Sequence, residues 1–256
     1  MDQTAQRKPG LIFGDSHIGA WKAGLEKSDG RFGAFETVAF WEPRYQPSMT
    51  WTGSELLYCD DLQHDLLTAA AKSPSIIVAL LAGTRHFQYG AVTGPRPFDV
   101  VHPAMQDLPC AESATLVPYD LLWRMFWQDH NVQFGFLSKL RSVYAGPIVV
   151  PCFPPLVQSS ERILQFAPPQ WADEMHEKGV PPATLRRKLW AISASALEAV
   201  CRSHGVMFVP VPQASLVDGY IHPDLLSDAF HGNASYGSLA LEQLAALLTT
   251  PGEIAA

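Results

Sequence analysis

Short apolar runs alternate with amphipathic stretches along the whole chain, and this rhythm restricts the folds open to it. Residues 11–13 read as a strand and 18–25 as a short helix. Residues 37–41 read as a second strand, and 54–71 as a helix carrying Leu57, Leu62, Leu66 and Leu67 behind an N-capping Ser54. The uninterrupted apolar run at 75–82 has the character of a strand covered on both faces, as at the centre of a parallel sheet. Residues 119–144 form a long helical stretch broken near Asn131, with Phe136, Leu137, Leu140, Val143 and Tyr144 on one face of its later half. Gly146-Pro147 ends it. A fourth strand at 148–152, a helix at 184–204 aligning Leu185, Leu189, Ile192 and Val200, a fifth strand at 206–211 and a last helix at 234–248 complete the series. Strands alternating with helices in this way predict an α/β domain of right-handed β-α-β units around a mostly parallel sheet.

The 256 residues, 47% hydrophobic and 17% charged, suit one domain spanning 1–256 with a well-buried core. A net charge of −7, from 18 Lys and Arg against 25 Asp and Glu, offers no basic field for nucleic acid or anionic lipid. Cys59, Cys110, Cys152 and Cys201 stand far apart with no C-x-x-C pair, so they read as core thiols in a reducing compartment. The N-terminal stretch lacks an apolar signal core and no run approaches the ~20 residues of a membrane span, which makes the cytoplasm the expected location. Two segments break the alternation, 87–118 and 153–182. Both follow strands and carry aromatic residues, among them Phe87, Tyr89, Phe98, Phe153, Phe166 and Trp171, so they are expected to be lids or substrate walls.

Two short blocks carry chemistry. Gly14-Asp15-Ser16-His17 puts a serine where the first strand meets a helix N-terminus, whose amides favour developing negative charge. Asp228-Ala229-Phe230-His231 stands ahead of the last helix, and Asp and His three apart can pair. A serine nucleophile needs a neutral imidazole to take its proton, and the imidazole needs a carboxylate to fix its tautomer. Ser16, His231 and Asp228 would supply the three. Read blandly, Ser16 and Asp228 are caps and His231 is unrelated. Asp218 with His222 is a second pairing, one residue too long and not directly ahead of the final helix.

Gly14-Asp15-Ser16 together with Asp228-x-x-His231-x-Asn233 resembles the SGNH family, the GDSL-like esterases, lipases and acyltransferases, over most of the chain. The resemblance implies a flavodoxin-like three-layer α/β/α sandwich with a five-stranded parallel sheet, a Ser16–His231–Asp228 triad, a small-molecule acyl ester as substrate, either acetyl on a carbohydrate or a lipid ester, and neither metal nor organic cofactor. It also implies an oxyanion hole built from the Ser16 amide, a glycine amide after the second strand, here Gly53, and an asparagine after the third. That asparagine is replaced: Leu81-Ala82-Gly83-Thr84-Arg85-His86 puts Thr84 or Arg85 in its place. Asp15, His17 and His86 flank these blocks as candidate substrate contacts. Asp15-x-His17 and Gly83-Thr84-Arg85-His86 also resemble, faintly, the D-x-H and G-N-H blocks of calcineurin-like metallophosphoesterases, in which two bridged metals activate water. A non-catalytic binding protein on the SGNH fold is the third reading. The run Arg186-Arg187-Lys188 is expected to be a solvated helix face.

Overall fold

A computed structural model describes residues 9–53, 55–81, 85–94, 96–169 and 171–249. Among the described residues the main sheet has five strands: β1 (Gly10–Gly14), β2 (Phe35–Ala39), β3 (Ile77–Leu80), β4 (Ile148–Pro151) and β5 (Met207–Val209). Their order is β2-β1-β3-β4-β5 and every neighbouring pair is parallel, with Leu11 opposite Ile77, Ile77 opposite Ile148 and Val149 opposite Met207. The helices are α1 (Ile18–Lys27), α2 (Asp60–Ala71), α3 (Arg85–Ala91), α4 (Tyr119–Gln133), α5 (Gly135–Val143), α6 (Ser160–Gln165), α7 (Ala172–Lys178), α8 (Ala183–Ser203) and α9 (Ala234–Thr249). No described helix is long and apolar enough to cross a membrane.

Because side chains alternate along a strand, each central strand feeds two cores. Ile12, Val78 and Val149 pack with Trp21 of α1 and Leu241 and Leu244 of α9. Phe13, Ala79 and Val150 point the other way, against Leu66 of α2, Leu140 of α5 and Val200 of α8. The result is the α/β/α sandwich expected from the sequence.

The sheet order reverses between β1 and β3, and in open α/β sheets the crevice beyond the carboxyl ends at such a switch point receives ligands. Gly14 ends β1 there. A Cβ on it would stand 2.5 Å from the Leu80 carbonyl oxygen, so only glycine lets β3 lie this close to the turn into α1.

Several expected elements move. The second strand begins two residues early, at Phe35. The helix expected from residue 54 starts at Asp60, because Leu56–Tyr58 pairs antiparallel with Met49–Trp51 as a two-stranded ribbon; Asp60 and Asp61 then open the helix, where carboxylates suit the N-terminal dipole. Ser54 lies outside the described residues. The long helix breaks at Phe134, and Val143 faces solvent while Phe136, Leu137 and Leu140 are buried.

The 186–188 run is not a solvated face. Arg186 and Lys188 are fully buried. Lys188 Nζ donates to Asp99 Oδ1 at 3.0 Å, to the Pro109 carbonyl at 3.1 Å and to Cys110 Sγ at 3.3 Å. Arg186 donates to Ser160 Oγ and to the carbonyls of Pro181, Val157 and Gln158. Burial lowers the Arg186 pKa to about 10, against the pull of Tyr220, so the guanidinium stays charged at neutral pH.

Candidate active site

Ser16 follows β1 at the carboxyl edge of the sheet. The α1 N-cap position falls on His17, which makes no side-chain capping bond, and among the described residues Ser16 Oγ has no hydrogen-bond partner. The bland reading of Ser16 as a cap therefore has no bond behind it.

The loop ahead of α9 is closed by its own polar groups. Asp228 Oδ1 accepts the Phe230 and His231 N–H groups at 2.7 and 2.8 Å, a turn that aspartate side chains favour. The Ser227 N–H donates to the His231 carbonyl at 2.8 Å and the Ser227 hydroxyl does so at 3.1 Å. Asn233 Oδ1 accepts from the Ser235 and Tyr236 N–H groups, which makes it the N-cap of α9, and its Nδ2 donates to the Asp224 carbonyl at 2.7 Å. The D-x-x-H-x-N spacing is thus a turn, a ring to be held and a cap, in that order.

What is held is the His231 imidazole, whose Nδ1 lies 2.7 Å from Asp228 Oδ2. Burial alone would raise the Asp228 pKa, but the hydrogen bonds from the His231 ring and from the His231 and Phe230 N–H groups outweigh it and hold the carboxyl below its usual range. An ionised carboxylate only accepts, so Nδ1 carries the proton and Nε2 is left as the basic nitrogen.

Two glycines bring the ends of the chain together. A Cβ on Gly24 of α1 would stand 2.6 Å from the Gly237 backbone in α9, so these helices touch main chain to main chain. Their N-terminal ends, one after Ser16 and one after His231, consequently open onto the same cleft.

That cleft holds about 530 Å³ and is lined by the polar Asp15, Ser16, Asp228 and His231. Phe87, Trp171, Phe230 and residues 166–169 complete the lining with apolar surface. Ser16 and His231 share it without a hydrogen bond between them, a looseness common in sites without substrate.

The His17 and His231 rings lie with their centroids 5.4 Å apart. Burial and the neighbouring His231 lower the His17 pKa to about 4, against the opposite pull of Asp228, so His17 is uncharged at neutral pH. The remaining candidates are dispersed. His86 is buried and stacked on Phe153 at 4.3 Å, away from the cleft, because α3 turns its ring into the core. Gly53 sits exposed in the turn of the 49–58 ribbon, closed by Thr52 and Glu55, and does not line the cleft. Thr84 lies outside the described residues, as does the side chain of Arg85 at the start of α3.

The rival pair has local duties instead. Asp218 occupies the turn of a small hairpin with φ of 52°, and His222 Nδ1 accepts the Asp224 N–H at 3.2 Å. Among the described residues no three His, Cys, Asp or Glu side chains group as a metal site would require.

The insertion 153–182, expected from the sequence as a lid or substrate wall, contributes Phe166, Ala167, Pro168, Pro169 and Trp171 to the cleft. Which of its residues would line the cleft was not legible from an apolar insertion after a strand.

No family model and no curated protein matches the chain. Among solved structures it is similar to the periplasmic domain of a lipopolysaccharide acetyltransferase from Salmonella ser. Paratyphi A, at 10% identity over 96% of this chain and 85% of that one, with a TM-score of 0.51. It is also similar to a platelet activating factor candidate from Streptococcus pneumonia, at 14% identity over 96% and 86%, with a TM-score of 0.50. Identities this low speak to architecture alone, that of the α/β/α sandwich.

Proposed function

We propose that the chain is a serine esterase or O-acyltransferase that works on an acyl ester through a covalent acyl-enzyme. The observation that carries this reading is the Asp228–His231 hydrogen bond facing the same cleft as Ser16. Ser16 Oγ attacks the ester carbonyl carbon while its proton passes to His231 Nε2. The tetrahedral adduct collapses, the bond to the alcohol oxygen breaks, and His231 returns the proton to the departing alcohol. Water, or the hydroxyl of an acceptor, then repeats the attack on acyl-Ser16. Asp228 keeps Nδ1–H in place and steadies the imidazolium. The Ser16 amide at the N-terminal end of α1 faces the developing oxyanion, and Thr84 or Arg85 would supply the donor that the asparagine provides in the resembling family.

Labelling with a fluorophosphonate probe tests the reading. The wild type is expected to gain one adduct and Ser16→Ala none, by intact mass. Asp228→Asn, which leaves His231 with the wrong tautomer, is expected to slow labelling by about 10³–10⁴-fold. A wild-type protein that takes no adduct contradicts the proposal, and leaves a binding protein on this fold as the better account.

A further inference from the structure

We infer that the ester this cleft receives carries an apolar portion of about six carbons or more, and is not an acetylated polar compound. The inference rests on the serine reading above and adds the substrate class to it. The cleft lining has two unlike parts. One is the polar set of Asp15, Ser16, Asp228 and His231. The other is a contiguous aromatic cluster in which Phe87 stacks on Trp171 at 5.2 Å, Trp171 meets Phe230 at 6.5 Å, and Phe230 packs edge-on against Phe87. Phe166 and Pro168 extend this cluster toward solvent.

Volume decides between small and large groups. An acetyl methyl is of the order of a water molecule, ~30 Å³. It would leave most of the 530 Å³ cleft, and the exposed faces of Trp171 and Phe166, in contact with water. A longer apolar group displaces that water, and each methylene so buried is worth about fourfold in binding. Polar recognition of a sugar needs convergent donors and acceptors. Beyond Ser16, Asp228 and His231, the polar side-chain groups of the described lining are the Asp15 carboxylate and the Trp171 indole N–H, one acceptor and one donor.

The apolar portion can sit on the acyl or the alcohol side of the ester, and two substrate series separate these. In the first, p-nitrophenyl esters run from acetyl to dodecanoyl. In the second, acetyl is kept constant while the alcohol runs from xylose to naphthol. All are measured on the full chain, beside fluorophosphonate labelling of the same preparation. One series is expected to show kcat/KM rising at least tenfold from its polar or short end to its apolar end. Trp171→Ala, and separately Phe166→Ala in case the first misfolds, should cut that ratio several-fold. Normal labelling of Ser16 with flat series, or with acetylated xylose as the best substrate, overturns the substrate class while the serine reading stands. No labelling overturns both.

Discussion

The two insertions, 87–118 and 153–182, look alike as sequence and behave differently as structure. Both follow central strands, both are rich in aromatic residues and proline, and both are tied to α8 by a buried cation. The first is bound by Lys188 to the Asp99 carboxylate, which also accepts the Val100 and Ala111 N–H groups. Val100 packs there with Leu122 and Phe126 of α4 and with Leu185, Leu189 and Ile192 of α8, in a small core of its own away from the sheet. Apart from Phe87 in α3, none of the described residues of this insertion lines the cleft.

The second is bound by Arg186 to main-chain carbonyls and one hydroxyl, and it supplies most of the apolar wall beside Ser16. Position after a strand therefore does not make a substrate wall. The attachments differ: a lysine–carboxylate pair holds the first segment to α8, while three carbonyls and a hydroxyl around the Arg186 guanidinium hold the second.

The comparison breaks at Lys188 first. Lys188→Met leaves Asp99 buried and unpaired, which is expected to cost about 3–5 kcal/mol of stability by chemical denaturation. The labelling of Ser16 in the folded fraction should not change, since this insertion stands off the cleft. A marked loss of labelling there would mean that the first insertion shapes the site after all. Replacing Asp99 by Asn in the same chain should recover much of the stability.

Arg186→Met is the smaller lesion and the more telling one. It strands the Val157, Gln158 and Pro181 carbonyls, for about 1–3 kcal/mol. Here labelling by long-chain probes should weaken more than labelling by short ones. Equal loss for both would show that the guanidinium supports the fold and not the wall.

A pH-dependent effect lies beside the start of both insertions. His86 of α3 stacks on Phe153, the first residue of the second insertion, and His130 stacks on the same ring at 5.9 Å. Burial holds both imidazoles neutral, His86 well below the usual histidine value and His130 at about 4. The unfolded chain takes up protons near pH 6.5 while the folded one does not, so stability falls as pH drops below about 6.5, by roughly 1.4 kcal/mol per pH unit for each ring. For His130 the loss levels off near pH 4, where the folded form also binds its proton. His86→Phe should remove one proton's share of that slope in thermal melts between pH 7 and 4.5. An unchanged slope would mean that His86 is not held neutral.

The sheet was legible because each central strand is a local apolar run, and those runs survive in the structure to within a few residues. Gly14-Asp15-Ser16 and Asp228-x-x-His231 were legible because a turn, a cap and a ring hold need particular residues at fixed spacing. The 49–58 ribbon was not, since Leu56–Tyr58 fits a helix and a strand equally well until its partner is known. The burial of Lys188 left a trace: Leu185, Lys188, Leu189 and Ile192 share one helical stripe, and a lysine in that stripe must find an anion. Nothing local marked Asp99 as that anion, because the pairing joins residues 89 positions apart. Nor does spacing tell which apolar insertion faces the cleft.

The main-chain contact between Gly24 and Gly237 also has a bearing on biosynthesis. It joins the first helix of the sandwich to α9, so Ser16 emerges from the ribosome long before His231. The central strands can pair while α9 is still being made, yet His231 has no cleft to enter until that helix docks. The cleft that Ser16 and His231 share is therefore complete only once α9 has docked, later than most of the helical content forms.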